Sequence, residues 1–208
     1  MSEPTRKLAG TSSLVKPVAQ EKAHPGPSDA ALVIAARAGE KWAQEALFRR
    51  HARMVNGLAY RLLGRDNELD DLVQTAFMAA FRDLDRLAEP QAFGSWLSSI
   101  VVRTAHKLLR RRKMLTRLGL REPANVELDT LLGSSLPPAV HSELREIYGV
   151  LDALPTEARI ALVLHRVDGL SIPEAAERMG LSVSTVKRRL RLAEAEIERF
   201  KAGQGPST

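Results

Sequence analysis

The sequence predicts an all-α protein: two small helical domains joined by a flexible linker, the C-terminal one a helix-turn-helix. Three observations carry this. Apolar residues recur at helical spacing from Asp29 to about Lys113 and again from about Glu143 to Phe200, without strand-like alternation. Between these blocks, residues 119–142 collect Gly119, Pro123, Gly133, Ser134, Ser135, Pro137 and Pro138, the composition of a linker. Within the second block, Ser171-Ile-Pro-Glu174 and Gly180-Leu-Ser182 mark out a short helix, a turn and a last helix. The expected layout is a disordered tail over 1–27, a first domain over 28–113, a linker over 114–142, a second domain over 143–201 and a tail over 202–208.

Taken in order, residues 1–27 lack apolar periodicity and end on His24-Pro-Gly-Pro-Ser28. Gly39 and Gly64 stand where helices can terminate. Asp70 and Asp71 open the next helix, where carboxylates suit the helix dipole. Its expected inward stripe is Leu69, Val73, Ala76, Ala80 and Leu84. Asp71, Gln74 and Met78 share another face, which reads either as a protein-docking face or as a solvated helix start. The paired carboxylates have no third ligand type near them in sequence, so no metal is expected there.

The helix expected over 93–112 buries Phe93, Leu97, Ile100, Val101 and Leu108. On its wheel Trp96, Arg103, Lys107 and Arg110 line up about a quarter-turn away, with Arg111 next to them. From Pro90 to Arg121 there is no acidic residue. Uncompensated cations track a nucleic-acid backbone and an aromatic ring can stack on an unpaired base, which fits single-stranded or melted DNA. The other readings are a core tryptophan with a solvated basic edge, or a helix lying on a membrane surface.

In the second block, Ser171 can cap its helix, Pro173 is tolerated in the first turn and Glu174 can reach back. Gly180 ends that helix, and Ser182 can cap the last one. On the last helix Val186, Leu190, Ala193 and Ile197 make one apolar stripe. Ser184, Lys187, Arg188 and Arg191 follow helical spacing on roughly the opposite side, with Thr185 beside them. Such a face suits the DNA major groove, where Lys and Arg reach phosphates and guanine edges. A basic face alone is more often merely solvated; the capped helix and turn directly upstream favour DNA. The acidic residues Glu194, Glu196 and Glu198 are expected to point away from it.

Composition narrows the classes further. The net charge of +6 points to a polyanionic partner. Absence of cysteine removes disulfides, thiolate zinc sites and cysteine nucleophiles. The longest apolar run, Ala30 to Ala36, is far shorter than the roughly 20 residues of a membrane span. The N-terminus carries no secretion signal, so no membrane insertion is expected and the cytoplasm is the expected compartment. The five histidines form no His-Glu-x-x-His motif, and no phosphate loop, dinucleotide fingerprint or nucleophile elbow is present. No catalytic residue, metal or cofactor is expected, and the protein is read as a non-enzyme.

Several segments together resemble a known family. Leu32 to Leu63, Asp70-Asp71-Leu-Val-Gln74 and Phe93-Gly-Ser-Trp-Leu97 with the following Arg-Arg-Arg-Lys113 are similar to the first domain of extracytoplasmic-function sigma factors of bacterial RNA polymerase. Leu154-Pro155, Arg159, Gly169-Leu-Ser171, Glu174-Ala-Ala176, Gly180-Leu-Ser182 and Ser184-Thr-Val-Lys187 resemble their second domain. The match follows the family order over most of residues 29–200. Ser184 stands where the family commonly has glycine, and Phe81 where tryptophan is common.

The resemblance implies a transcription initiation factor bound to core RNA polymerase, through its beta-prime and beta subunits, and to promoter DNA. It implies that residues 70–84, with Asp71, Gln74 and Met78, dock on the beta-prime clamp helices. It further implies that Trp96, Arg103, Lys107, Arg110 and Arg111, with the loop Leu87 to Phe93, bind and melt the −10 element. Ser184, Thr185, Lys187, Arg188 and Arg191 would read the −35 element, and the linker would thread toward the RNA exit path. Family members often answer to an anti-sigma protein covering both domains. The alternative is a stand-alone helix-turn-helix regulator, which explains residues 143–200 but leaves the tryptophan helix and the Asp71–Gln74 face idle.

Overall fold

The computed structural model describes residues 26–64, 67–120 and 149–203, and among them every regular element is helical. The expected tails over 1–27 and 202–208 and the linker over 114–142 lie largely outside the described residues, as do His24 and His141.

The first half is built from α1 (Asp29–Arg37), α2 (Lys41–Leu63), α3 (Leu69–Arg82) and α4 (Phe93–Arg117). Ser28 starts α1 by accepting from the Ala31 amide at 3.2 Å. Asp29 ties α1 to α2, accepting from Arg50 at 2.7 Å and lying 2.9 Å from His51 Nε2. Gly64 closes α2 with its amide on the Tyr60 carbonyl. The buried residues of α3 are Leu72, Val73, Ala76, Phe77 and Ala80. The expected stripe is thereby corrected: Leu69 at the helix start is only half-buried, while Leu72 and Phe77 turn inward because α3 is gripped by both α2 and α4. Phe77 packs on Phe48 of α2 with ring centroids 4.6 Å apart.

Short 3-10 turns at Leu84–Arg86 and Pro90–Ala92 lead into α4. At its start Gly94 lies close to α2, and a Cβ there would meet the His51 ring at a tight 3.1 Å. The helix is longer than expected, ending at Arg117 rather than 112, so the linker does not begin at 114. Arg, Lys, Met and Leu are good helix formers and nothing between 113 and 117 breaks the turn. Leu109 is buried and Leu108 only half-buried, the reverse of what the stripe implied.

In the second half residues 149–153 are helical, followed by α5 (Thr156–Leu162), α6 (Ile172–Met179) and α7 (Val183–Lys201). A five-residue π-helical turn, Val163–Val167, extends α5. Arg159, only 3% exposed, is neutralised by Asp152, as a buried cation requires.

The halves share one core. A single cluster of buried residues takes in Leu97, Val101 and Ala105 of α4 together with Ile160, Leu164, Ala176, Val186 and Leu190 of the second half. Polar links reinforce it: Arg61 pairs with Asp168, Lys113 donates to the Leu154 carbonyl, and His106 Nε2 lies 3.9 Å from Glu157. Among the described residues no helix is long and apolar enough to cross a membrane.

Candidate nucleic-acid interface

The helix-turn-helix assembles as its sequence dictates. Ser171 accepts from the Glu174 amide, and Glu174 Oε2 accepts from the Ser171 amide at 2.8 Å. Ser171 Oγ also donates to Glu174 Oε2 at 2.5 Å, and this hydroxyl bond first, with the amide bond second, holds the Glu174 carboxyl below its ordinary range. At the other end of α6, Gly180 takes a left-handed conformation (φ 64°) that any Cβ would strain. Two residues on, Ser182 Oγ accepts from the Thr185 amide at 3.2 Å and starts α7. The turn between the helices is thus fixed from both sides.

On α7, Val186, Leu190 and Ala193 are buried, and Ile197 is half-buried against a small second cluster with Leu154, Ala158 and Leu162. This locks the rotation of the helix, and with it the direction of the opposite face. Ser184, Lys187, Arg188 and Arg191 are exposed. Thr185 is half-buried, with its hydroxyl 2.8 Å from Ser182 Oγ, so it serves the cap as well as the face.

The cations of α7 fall into two kinds. Arg189 Nε donates to Glu157 at 2.7 Å, Arg199 pairs with Glu196 and Lys201 with Glu198. Lys187, Arg188 and Arg191 have no carboxylate within ion-pair distance among the described residues. Glu194 is likewise occupied, accepting from Arg166 at 2.6 Å. Exposed cations left without acids, on a helix face whose direction is fixed, form an anion-facing surface.

On α4, Arg103, Lys107, Arg110 and Arg111 are exposed, again without an ion pair among the described residues. Arg112 by contrast pairs with Glu68 at 2.8 Å. Trp96 is half-buried, packed against the core and tilted on Phe93 at 6.2 Å. Arg103 and Lys107, both exposed, follow it on α4 at helical spacing. The segment before α4 is anchored from behind, since Arg37 Nη2 donates to the Leu84 carbonyl at 3.0 Å and also to the Leu87 carbonyl. Leu87 itself is buried.

On α3, Asp71, Gln74 and Met78 share an exposed face, and Met78 is 65% exposed. An unbranched thioether left in water beside polar groups suits contact with another protein.

Sequence reasoning missed the groups that join the halves: Arg61 with Asp168, and Glu157 between Arg189 and His106. Their partners lie far apart in the chain, so no local spacing reveals them. Burial pushes the His106 imidazole below its ordinary range, and Arg110 adds to this while Glu157 opposes it. Among the described residues no cluster of ligating side chains could hold a metal ion.

Comparison with known proteins places these elements in register. Sigma-70 region 2 matches residues 47–114 and sigma-70 region 4 matches residues 144–197. The ECF RNA polymerase sigma-E factor of Haemophilus influenzae is 32% identical over 184 residues, covering 82% of this chain and 94% of that protein. The ECF RNA polymerase sigma factor SigM of Mycobacterium tuberculosis is 35% identical over 174 residues, covering 83% and 84%. For SigE of Mycolicibacterium smegmatis the figures are 30% over 173 residues, and the matched part spans 63% of that longer relative. Among solved structures, CnrH in complex with the cytosolic domain of CnrY superposes with a TM-score of 0.58 at 26% identity, covering 86% of this chain and all of that one. The sigma factor RpoE of Bartonella quintana, in complex with the anti-sigma factor NepR, shares the fold with a TM-score of 0.54 at 20% identity.

Proposed function

The chain belongs to the extracytoplasmic-function sigma factors of the sigma-70 family, and we propose that it divides promoter recognition between its two halves. As an RNA polymerase sigma factor it directs promoter recognition and transcription initiation. It does so by binding, in the cytoplasm, without catalysing a reaction of its own.

The observation that carries the division is the sorting of cations. On α7 Lys187, Arg188 and Arg191, which have no acidic partner among the described residues, are exposed opposite the buried stripe. We assign them, with Ser184 and Thr185, to the duplex of the −35 element. Short hydroxyl side chains let the helix approach closely, and the guanidinium groups read guanine edges or hold phosphates. Trp96, Arg103, Lys107, Arg110 and Arg111 are assigned to the −10 element. A tryptophan braced on one side by Phe93 can stack on an unpaired base without being reordered, while the cations hold the separated strand. Asp71, Gln74 and Met78 of α3 dock on the beta-prime subunit of core polymerase. The first domain is taken as 28–113 plus the last turn of α4, and the second as 143–201. An anti-sigma protein is a fitting partner, because two of the folds most like this one were solved in such complexes or beside a cytosolic partner domain.

The test is reconstitution. Purified protein added to core polymerase should produce transcripts that start at defined promoters and depend on both elements. A protein that binds duplex DNA tightly without polymerase, and yields no transcript with it, would be a stand-alone regulator.

A further inference from the structure

A cleft of about 630 Å3 lies where the two halves meet. One wall is the last two turns of α4, with Arg110, Arg111, Lys113 and Arg117. The other is the start of α5, with Pro155, Thr156 and Glu157, and Arg189 of α7. The charge is lopsided. Among the described lining residues Glu157 is the one carboxylate, and Arg189 already holds it at 2.7 Å. Arg110, Arg111 and Arg117 have no ion-pair partner among the described residues. Burial pushes the Lys113 ammonium below its ordinary range; Asp152 opposes this, and Arg159 and Arg117 add to it. Cations crowded into a concavity repel one another and focus the field on whatever anion enters.

The spacing narrows the anion. Arg110, Lys113 and Arg117 stand at i, i+3 and i+7, so they share a face of α4. Arg110 and Arg117 are separated by about 10.5 Å of helix axis. A single phosphate or carboxylate does not bridge that distance, but a chain of phosphates does, and guanidinium forks suit phosphate oxygens. The volume lies within the roughly 300–1,000 Å3 of small-ligand sites. Met114, 56% exposed, and Pro155 add apolar surface beside the cations.

We propose that the cleft between the halves binds a polyphosphate, either inorganic or the phosphate chain of a nucleotide, on Arg110, Arg111, Lys113 and Arg117. Walls from both halves make the bound anion a clamp that favours the packed arrangement. Because Arg110 and Arg111 are also assigned to promoter DNA, occupancy and promoter binding compete. The site itself does not depend on that assignment.

The experiment uses the full chain at near-physiological salt, with inorganic triphosphate and ATP as separate probes in titration calorimetry. One triphosphate should bind per chain. The exposed pair Arg110→Ala/Arg117→Ala should weaken it about tenfold or more. The pair Lys187→Ala/Arg188→Ala, with the same charge change outside the cleft, should leave it unaltered. Equal weakening by both pairs, several ions per chain or no saturable binding would overturn the proposal. Hydrogen exchange supplies a second reading: triphosphate should protect both 106–117 and 153–157, and protection confined to α4 would refute a site made by both halves. If ATP binds more tightly and Met114→Ser removes its advantage, a nucleotide is the source. Equal affinity identifies inorganic polyphosphate, and either result supports the site.

Discussion

Arg188 and Arg189 are neighbours of the same chemical type in opposite surroundings. Arg188 is exposed without an ion-pair partner among the described residues, whereas Arg189 lies half-buried with its Nε 2.7 Å from Glu157. Removing Arg188 leaves no buried group unpaired, so Arg188→Ala should change stability by less than about 0.5 kcal/mol. If it contacts a base, the same change costs roughly 1–3 kcal/mol of −35 recognition, about 5- to 150-fold in affinity. Arg189→Ala strips the guanidinium from a carboxylate whose side chain is 30% exposed. A charge-assisted hydrogen bond contributes roughly 1.5–3 kcal/mol when protected, and solvent at this site reduces that to about 1 kcal/mol. In a chain of this size the loss lowers Tm by about 2–4 °C. The assays are thermal unfolding of each variant and holoenzyme binding to promoters with matched and scrambled −35 elements. Equal loss of −35 discrimination in both variants, or a destabilised Arg188→Ala, would refute the sorting of cations by partner.

Three further outcomes are expected. Changing Asp71 and Gln74 together to Ala should weaken core-polymerase binding about tenfold with helical content unaltered in circular dichroism; unchanged affinity would mean a merely solvated face. Ser171→Ala removes the capping oxygen of α6 and should cost roughly 1 kcal/mol in denaturant unfolding, with no change if the cap carries no stability. His106 is held below the ordinary histidine value of 6.5, so the unfolded chain binds more protons than the fold as pH falls past that value. Stability should therefore drop between pH 7.5 and 5.5, and His106→Gln should flatten the drop; an identical slope in the variant would exclude this histidine as the cause.

What could be read from the sequence was what depends on near neighbours. The Ser171–Glu174 box, the Gly180 turn and the Ser182 cap are each settled within four residues, and all three form. The stripe of Val186, Leu190 and Ala193 followed from the helical period alone. Burial contributed by a second surface did not. Phe77 and Leu72 turn inward because α3 lies between two helices, and Leu109 displaces Leu108 for a similar reason of packing direction. The end of α4 was placed too early because a basic run resembles a linker in charge but a helix in propensity. The joining of the halves was hidden for a different reason. Arg61 meets Asp168 and His106 meets Glu157 across spans that no periodicity registers. Trp96 packs against the core yet is only half-buried, so periodicity, which sorts residues into buried or exposed, does not capture it.

The division of promoter recognition between α4 and α7 is tested most directly on a promoter whose −10 region is already unpaired. Holoenzyme is assembled with Trp96→Ala or with Arg188→Ala/Arg191→Ala, and transcription is measured from duplex and pre-melted templates carrying the same −35 element. Trp96→Ala should initiate poorly on the duplex and recover on the pre-melted template, because the step it serves has been supplied. Arg188→Ala/Arg191→Ala should remain impaired on both, because the upstream duplex is still to be read. Recovery of both variants, or of neither while Trp96→Ala retains a folded helical spectrum, would contradict the assignment of strand opening to α4 and duplex reading to α7.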